Sequence, residues 1–348
     1  MQAPLLAQRG RALIDFQAGI GKASYGLNMA MEAEMAAKGI NADTLPDDID
    51  ARHAMVDEKL ADSKTFKLRQ LVSEWASKTH GPFCEEAFEG IRHELEPMLK
   101  SLDDGPSKLT VPDNFEAPSY FSRVWFHRTT GGWDASDYNG YVHGELVHKM
   151  LVAKSYPGDI FAQRRMAAKQ ASRKDFKRIL DVGASSGHYT LALQEAYPNA
   201  QIVGIDPSPR MLEHARRVAN ENGWNWDLHV GLGEDTGFPD QSFDLVTSFI
   251  LFHEIPPRII KAVFEEAYRL LEPGGEIIMT DVPRYHDMDK LAVWRYDWLA
   301  KWGGEPYWRA SASMDLVQTA KDAGFVDVEA FTQEPVHTYY VVRAKKPA

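Results

Sequence analysis

The segment Ile179-Leu180-Asp181-Val182-Gly183-Ala184-Ser185-Ser186-Gly187 constrains the fold of this chain more than any other. A short apolar run ends in an acid, a loop of small residues follows, and a helical pattern opens at about Tyr189. That order predicts strand, loop and helix. Small residues let backbone come close to a bound ligand, and a helix N-terminus favours the ligand's negative groups. The unit is the start of an open α/β sheet, in which ligands bind outside the carboxyl ends of the strands.

The pattern then repeats. Further strands are predicted at Gln201–Ile205, Asp227–Val230, Phe243–Ser248 and Glu276–Thr280, after a first at Arg178–Val182. Helices are predicted at Tyr189–Tyr197, Pro209–Asn222 and Arg258–Leu271. Strands alternating with helices imply right-handed crossovers and a mostly parallel sheet. A Trp-rich helical stretch, Met288–Trp302, and a helix at Met314–Ala323 come next, and the chain closes with Phe325–Phe331 and Val336–Arg343 as an antiparallel pair. The expected catalytic unit, residues 161–348, is a Rossmann-like, doubly wound α/β sheet of seven strands.

Residues 1–160 read as a mainly helical N-terminal domain. Helical patterns run from about Gln8 to Lys38, Asp47 to Lys78 and Phe83 to Leu102, with Leu60, Leu68, Leu71, Val72 and Trp75 able to share a face and Cys84 as a small core residue. From Ser119 to Tyr156 the composition turns aromatic and histidine-rich.

Composition narrows the partners. A net charge of −11 argues against a surface for nucleic acid, which calls for a basic face. The run Arg164, Arg165, Lys169, Arg173, Lys174, Lys177, Arg178 reads as a solvated helix face, with a site for an anionic substrate as the lesser alternative. One cysteine allows no intrachain disulfide, no multi-cysteine zinc site and no cysteine-ligated cluster, and fits a cytoplasmic setting. No apolar run reaches the ~20 residues of a membrane span.

A nicotinamide dehydrogenase is the obvious competitor for the glycine loop. Its fingerprint needs G-x-G-x-x-G, but Ser185 and His188 stand at the second and third glycine positions and the acid precedes the first. Asp206 ends the second strand, about 20 residues after the loop, where an acid can take both hydroxyls of a ribose. Pro207-Ser208 then starts a helix whose Met211 can touch an adenosine. A third motif, Gly231-Leu232-Gly233-Glu234-Asp235, precedes Phe238-Pro239-Asp240-Gln241-Ser242-Phe243-Asp244.

Together with Glu272-Pro273-Gly274-Gly275 and Ala323-Gly324-Phe325, these motifs resemble class I S-adenosylmethionine-dependent methyltransferases of the small-molecule, ubiquinone-biosynthesis-like kind, over roughly residues 175–348. The resemblance implies S-adenosylmethionine as cofactor, held by Asp181, Gly183, Ala184, Ser185, Gly187, Asp206, Pro207, Met211, Gly233, Glu234 and Ser248. Two positions depart from the family pattern. Ser185 replaces the central glycine, and Leu232 stands where an Asp commonly binds the adenine amino group, leaving that task to backbone near Gly233 and Glu234 or to Asp235.

Methyl transfer from a sulfonium is an in-line displacement that needs positioning and a nucleophilic acceptor, often with a general base. His253, after the fourth of these strands, is the expected base, with Glu254 orienting it or acting itself. Two other readings are that His253 packs beneath the cofactor, or that His253, Glu254 and His286 bind a metal; the residue spacing suggests no metal site. Acceptor contacts are expected from Arg123, His127, Trp133, Asp134 and His143 of the aromatic segment, and from His286 and Trp298 of a second wall. The run Ser248-Phe249-Ile250-Leu251 lacks the Asp/Asn-Pro-Pro-aromatic signature of nucleic-acid amino-methylases, so a small molecule is expected as acceptor, with oxygen ahead of sulfur, carbon and nitrogen. The alternatives are S- or C-methylation of a keto- or carboxylate-bearing acceptor, metal-assisted or not, and a non-catalytic binder of S-adenosylmethionine. A homodimer through the N-terminal helices is expected.

Overall fold

The computed structural model describes residues 1, 4–155, 159–332 and 339–348. Its sheet has eight strands: β1 (Lys108–Thr110), β2 (Arg178–Val182), β3 (Gln201–Asp206), β4 (Asp227–Val230), β5 (Phe243–Phe249), β6 (Leu271–Asp281), β7 (Val326–Thr332) and β8 (Tyr340–Lys345). They lie in the order β1-β4-β3-β2-β5-β6-β8-β7. All neighbours up to β6 pair in parallel, and β8 runs antiparallel between β6 and β7. The seven expected strands are therefore present, and β1 adds an eighth from the N-terminal region. Residues 336–338 of the expected last strand lie outside the described residues, as does Tyr156 at the end of the aromatic segment.

Burial on both faces explains why these segments are strands. Every residue of β5 is buried, the mark of a central strand covered by helices on both sides. Successive residues serve opposite cores: Leu180, Val182, Val203 and Val246 pack with Phe264 and Met279 on one face, while Ile179, Ile202, Leu228 and Leu245 pack with Leu193, Leu212 and Trp226 on the other. The helix Pro209–Glu221 begins where Ser208 Oγ accepts the Met211 N–H at 3.1 Å, with Pro209 in its first turn.

The N-terminal helices are α1 (Gln8–Ala37), α2 (Ile49–Lys59), α3 (Lys64–Glu89) and α4 (Arg92–Ser101). The second helical pattern thus breaks at Leu60–Ser63 instead of near Lys78. Ser63 Oγ accepts the Phe66 N–H at 3.0 Å and starts α3, which continues through Pro82. Leu60 is buried, but Leu68 and Leu71 face solvent, so the shared apolar face expected for them does not form. Ile14, Ala18, Cys84 and Phe88 of α1 and α3 pack against Tyr141, Val142 and Leu146. Met31, Met35, Val56, Leu60 and Phe66 enclose Trp294 and Trp298 of the helix Lys290–Gly303. Among the described residues no helix is long and apolar enough to cross a membrane.

Candidate active site

A cavity of about 310 Å³ opens at the carboxyl ends of β2, β3 and β5, roofed by the aromatic segment between Tyr120 and Val152. Its floor is the glycine loop. Gly183, at φ +75°, turns the chain so that its N–H and that of Ala184 both donate to Ile205 carbonyl oxygen, at 2.9 and 3.1 Å. Ser185 holds φ +47°, a left-handed conformation that favours glycine, and its N–H donates to Asp206 Oδ2 at 2.9 Å. The serine in the loop therefore keeps the backbone shape of the glycine it replaces.

Asp206 also accepts the Ser208 N–H at 2.9 Å. Burial nevertheless pushes its carboxyl up to about 7, against those two backbone donors. More donors at this carboxylate would be favourable, and the two hydroxyls of a ribose are such donors. Pro207, Met211, Leu232 and Gly233 continue the same wall. A Cβ at Gly233 would stand 2.5 Å from Val182 Cγ1. Glu234 lines the wall and accepts the Tyr120 hydroxyl. Asp181 lies beneath the loop, outside the lining. One oxygen accepts the Thr190 hydroxyl at 2.6 Å, the other has no partner, and burial raises the carboxyl to about 7. Gly187 and Ser248 do not reach the cavity: Gly187 starts the helix His188–Ala196 at φ +83°, and the Ser248 hydroxyl donates to Met279 Sδ at 3.3 Å. These residues fit an adenosine-bearing amino acid such as S-adenosylmethionine.

The polar end of the cavity follows β5 and β6. His253 Nδ1 is 3.1 Å from Asp281 Oδ1, and Asp281 also accepts the N–H groups of Phe252 and Val282, each at 2.7 Å. Burial pushes the His253 imidazole down, but the Asp281 carboxylate more than reverses this and holds it at about 9. Glu254 lies 4.0 Å from the far nitrogen of that ring. Burial raises its carboxyl to about 7, against the pull of His253 and His127. His127 is in contact with Glu305, Nδ1 to Oε1 at 2.8 Å. Burial disfavours its charge, yet Glu305 raises it on balance, and His127 in turn holds Glu305 below the usual carboxylate range. His127 and Arg128 both sit at positive φ, 50° and 56°, local strain of the kind that gathers at functional sites.

A third wall comes from the wide-turned π-helix Val142–Val152. His143 meets Trp133 edge-on, with centroids 4.7 Å apart, and His148 at 4.3 Å. His148 Nδ1 is 3.5 Å from His188 Nδ1. Burial first, and cationic neighbours second, keep His143 and His148 well below the usual histidine range, while burial brings His188 to about 4 against the pull of Glu145.

Of the expected acceptor residues, His127, Trp133 and His143 line the cavity. Four do not. Asp134 is exposed and accepts the Ser208 hydroxyl at 2.6 Å, supporting a helix start. Arg123 lies in a separate groove with Arg128 and Arg309. His286 is half exposed beside Asp287. Trp298 is 1% exposed, in the core with Phe66 and Trp294. With His286 at the surface, the metal reading of His253, Glu254 and His286 is not assembled; no group of three or more metal-ligating side chains occurs among the described residues. The sequence reading missed Glu305, 178 residues from its partner in the chain, and favoured a solvated face for Arg164, which lines the cavity with its guanidinium 5.1 Å from the Phe249 ring. Nothing local marks Glu305.

A family model described as a methyltransferase domain matches residues 179–275. The chain is 36% identical over 139 residues to a demethylmenaquinone methyltransferase of Thermus thermophilus, covering 40% of this chain and 60% of that protein. A demethylmenaquinone methyltransferase of Deinococcus radiodurans is 32% identical over 120 residues, 34% of this chain and 49% of the relative, so the chain spans about half the length of these two relatives. The demethylmenaquinone methyltransferase of Symbiobacterium thermophilum is 30% identical over 246 residues, 63% of this chain and 90% of that protein. Among solved structures, a Haemonchus contortus phosphoethanolamine N-methyltransferase in complex with S-adenosyl-L-methionine is 17% identical, with a TM-score of 0.46 over 62% of this chain and 58% of that one.

Proposed function

This chain belongs to the S-adenosylmethionine-dependent methyltransferases, and from that premise we propose that it methylates an oxygen of a small-molecule acceptor, with Glu254 as the general base. The observation that carries this reading is the Glu254 carboxyl, which lines the cavity 4.0 Å from His253 Nε2 and is raised by burial to about 7. A base works best when its pKa lies near the working pH. His253, held at about 9, carries its proton at neutral pH and cannot accept another. Of the two roles the sequence left open for Glu254, this reading takes the second: Glu254 itself takes the acceptor's proton, and protonated His253 orients Glu254 and steadies its charge.

The bound donor supplies an electrophilic methyl group on a sulfonium. The chain's own residues do the rest. Asp206 accepts from the ribose hydroxyls, and Met211 and Leu232 give the adenine an apolar seat. Tyr120, Phe126, Trp133 and Phe249 keep water from the reacting atoms and strengthen the charge interactions among those that remain.

The relatives named demethylmenaquinone methyltransferases suggest a quinone-like acceptor, and for such an acceptor transfer to carbon is a second reading. Taking the proton from a phenol or enol also places charge on the neighbouring carbon, so the same base serves. A screen of phenols, enols, keto acids, thiols and amines with methyl-labelled donor tests the proposal. Label on oxygen supports it, label on the adjacent carbon favours the second reading, and label on thiols or amines alone refutes both. A homodimer is part of the proposal, supported by Phe16, Tyr25, Met29, Leu68 and Leu71 left exposed on α1 and α3. A monomer by sedimentation would remove it.

A further inference from the structure

We propose that Arg164, His148 and His188 form a binding subsite for a carboxylate within the same cavity. The proposal rests on the donor-dependent reading above and deepens it.

Arg164 brings a cation to a cavity wall that is otherwise apolar and imidazole. Its guanidinium stands 5.1 Å from the Phe249 ring and 5.6 Å from the Phe161 ring, which fix it at the loop that follows β5. Asp159 and Tyr339 are near enough to act on its charge. Behind this wall Glu145 is fully buried, held by Lys149 at 2.8 Å and His214 at 3.2 Å, with His188 Nε2 at 3.9 Å.

The histidines are placed with little freedom. The wide turn of the π-helix brings positions five apart onto one face, which is why His143 and His148 meet. Gly144 lets that helix close on its neighbours: a Cβ there would stand 3.0 Å from His214 and 3.1 Å from His188. His188 is 6% exposed, with its Nδ1 3.5 Å from His148 Nδ1 and its Nε2 3.9 Å from the Glu145 carboxylate. It opens the helix His188–Ala196, whose N-terminus adds to the positive potential.

A planar guanidinium beside imidazole N–H groups matches a carboxylate, which can take two parallel bonds from the fork. A carboxylate can come from two sources here: the amino-acid end of the methyl donor, or a carboxyl group on the acceptor.

Calorimetry on the full chain separates them, with S-adenosylhomocysteine, with 5′-methylthioadenosine (the same thioether nucleoside without the amino acid), and with benzoate added to protein saturated with S-adenosylhomocysteine. Arg164→Met is expected to weaken either S-adenosylhomocysteine or benzoate by roughly ten- to a hundredfold and to leave 5′-methylthioadenosine unchanged. Unchanged nucleoside binding also shows that the variant is folded. Arg164→Lys, which keeps the charge and loses the fork, should recover part of the loss. Loss confined to S-adenosylhomocysteine assigns the subsite to the donor, and loss confined to benzoate assigns it to the acceptor. The proposal is overturned if neither carboxylate ligand is weakened, or if 5′-methylthioadenosine is weakened equally. Failure of the wild-type chain to bind either thioether would instead overturn the methyl-donor reading beneath it.

Discussion

Nδ1 of His253 lies 3.1 Å from Oδ1 of Asp281, with both side chains withdrawn from solvent, at 3% and 1% exposure. This contact decides which neighbour carries a proton at neutral pH. The carboxylate keeps His253 charged up to about 9, while burial leaves Glu254 titrating near 7. Turnover should therefore rise through pH 7 as Glu254 ionises and fall near pH 9 as His253 loses its proton. Asp281→Asn removes the charge that raises His253, so the falling limb should move down by a unit or more. An unmoved limb in a pH–rate profile would show that another group sets it.

The same pair links pH to folding. His253 has its ordinary value of 6.5 in the unfolded chain and about 9 in the folded one. Its contribution to stability is complete below pH 6.5 and is lost as pH rises through 9. The stability difference between wild type and Asp281→Asn, measured by urea unfolding, should be largest below pH 6.5 and shrink by pH 9.5. A difference that grows with pH would contradict the assignment.

Two glycines make opposite predictions. A Cβ at Gly140 would lie 2.2 Å from the Arg210 carbonyl oxygen, a backbone atom that cannot step aside. Gly140→Ala should destabilise the protein by about 2 kcal/mol or more. Gly26, in the middle of α1, has nothing within 4 Å. Gly26→Ala should stabilise by roughly 0.5–1 kcal/mol. Denaturant midpoints of the two variants check both signs.

Donor binding should depend on Asp206. Its carboxyl, raised to about 7 by burial, must be ionised to accept two hydroxyls. Affinity for S-adenosylhomocysteine should therefore weaken as pH falls below 7, and Asp206→Asn should lower it by about tenfold or more at pH 8. Calorimetry with NADH as control reads both. Binding of NADH in place of the thioether would mean that the glycine loop holds a dinucleotide.

What could be read from the sequence was local in the chain. Gly183, Ser185 and Asp206 lie within one strand–loop–helix–strand unit, where strand pattern and loop composition fix the geometry. The parts that escaped depend on distant partners. Glu305 matters because His127 meets it, and Arg164 resembles its basic neighbours until Phe161 and Phe249 hold it over the cavity. β1 is three residues long with two of them exposed, so no alternation announces it. Trp298 lies in a Trp-rich stretch expected to form a second wall of the acceptor site, but α1, α2 and α3 supply enough apolar surface to bury it. The π-helix was out of reach because its period differs from the 3.6 residues that helical patterns are read against.

Glu254→Gln, assayed with methyl-labelled S-adenosylmethionine and the best phenol or enol from the acceptor screen, tests whether Glu254 is the base. Labelled product should form at least about a hundredfold more slowly than in wild type, while S-adenosylhomocysteine binds as before. Turnover within a few fold of wild type would contradict this and remove Glu254 as the base.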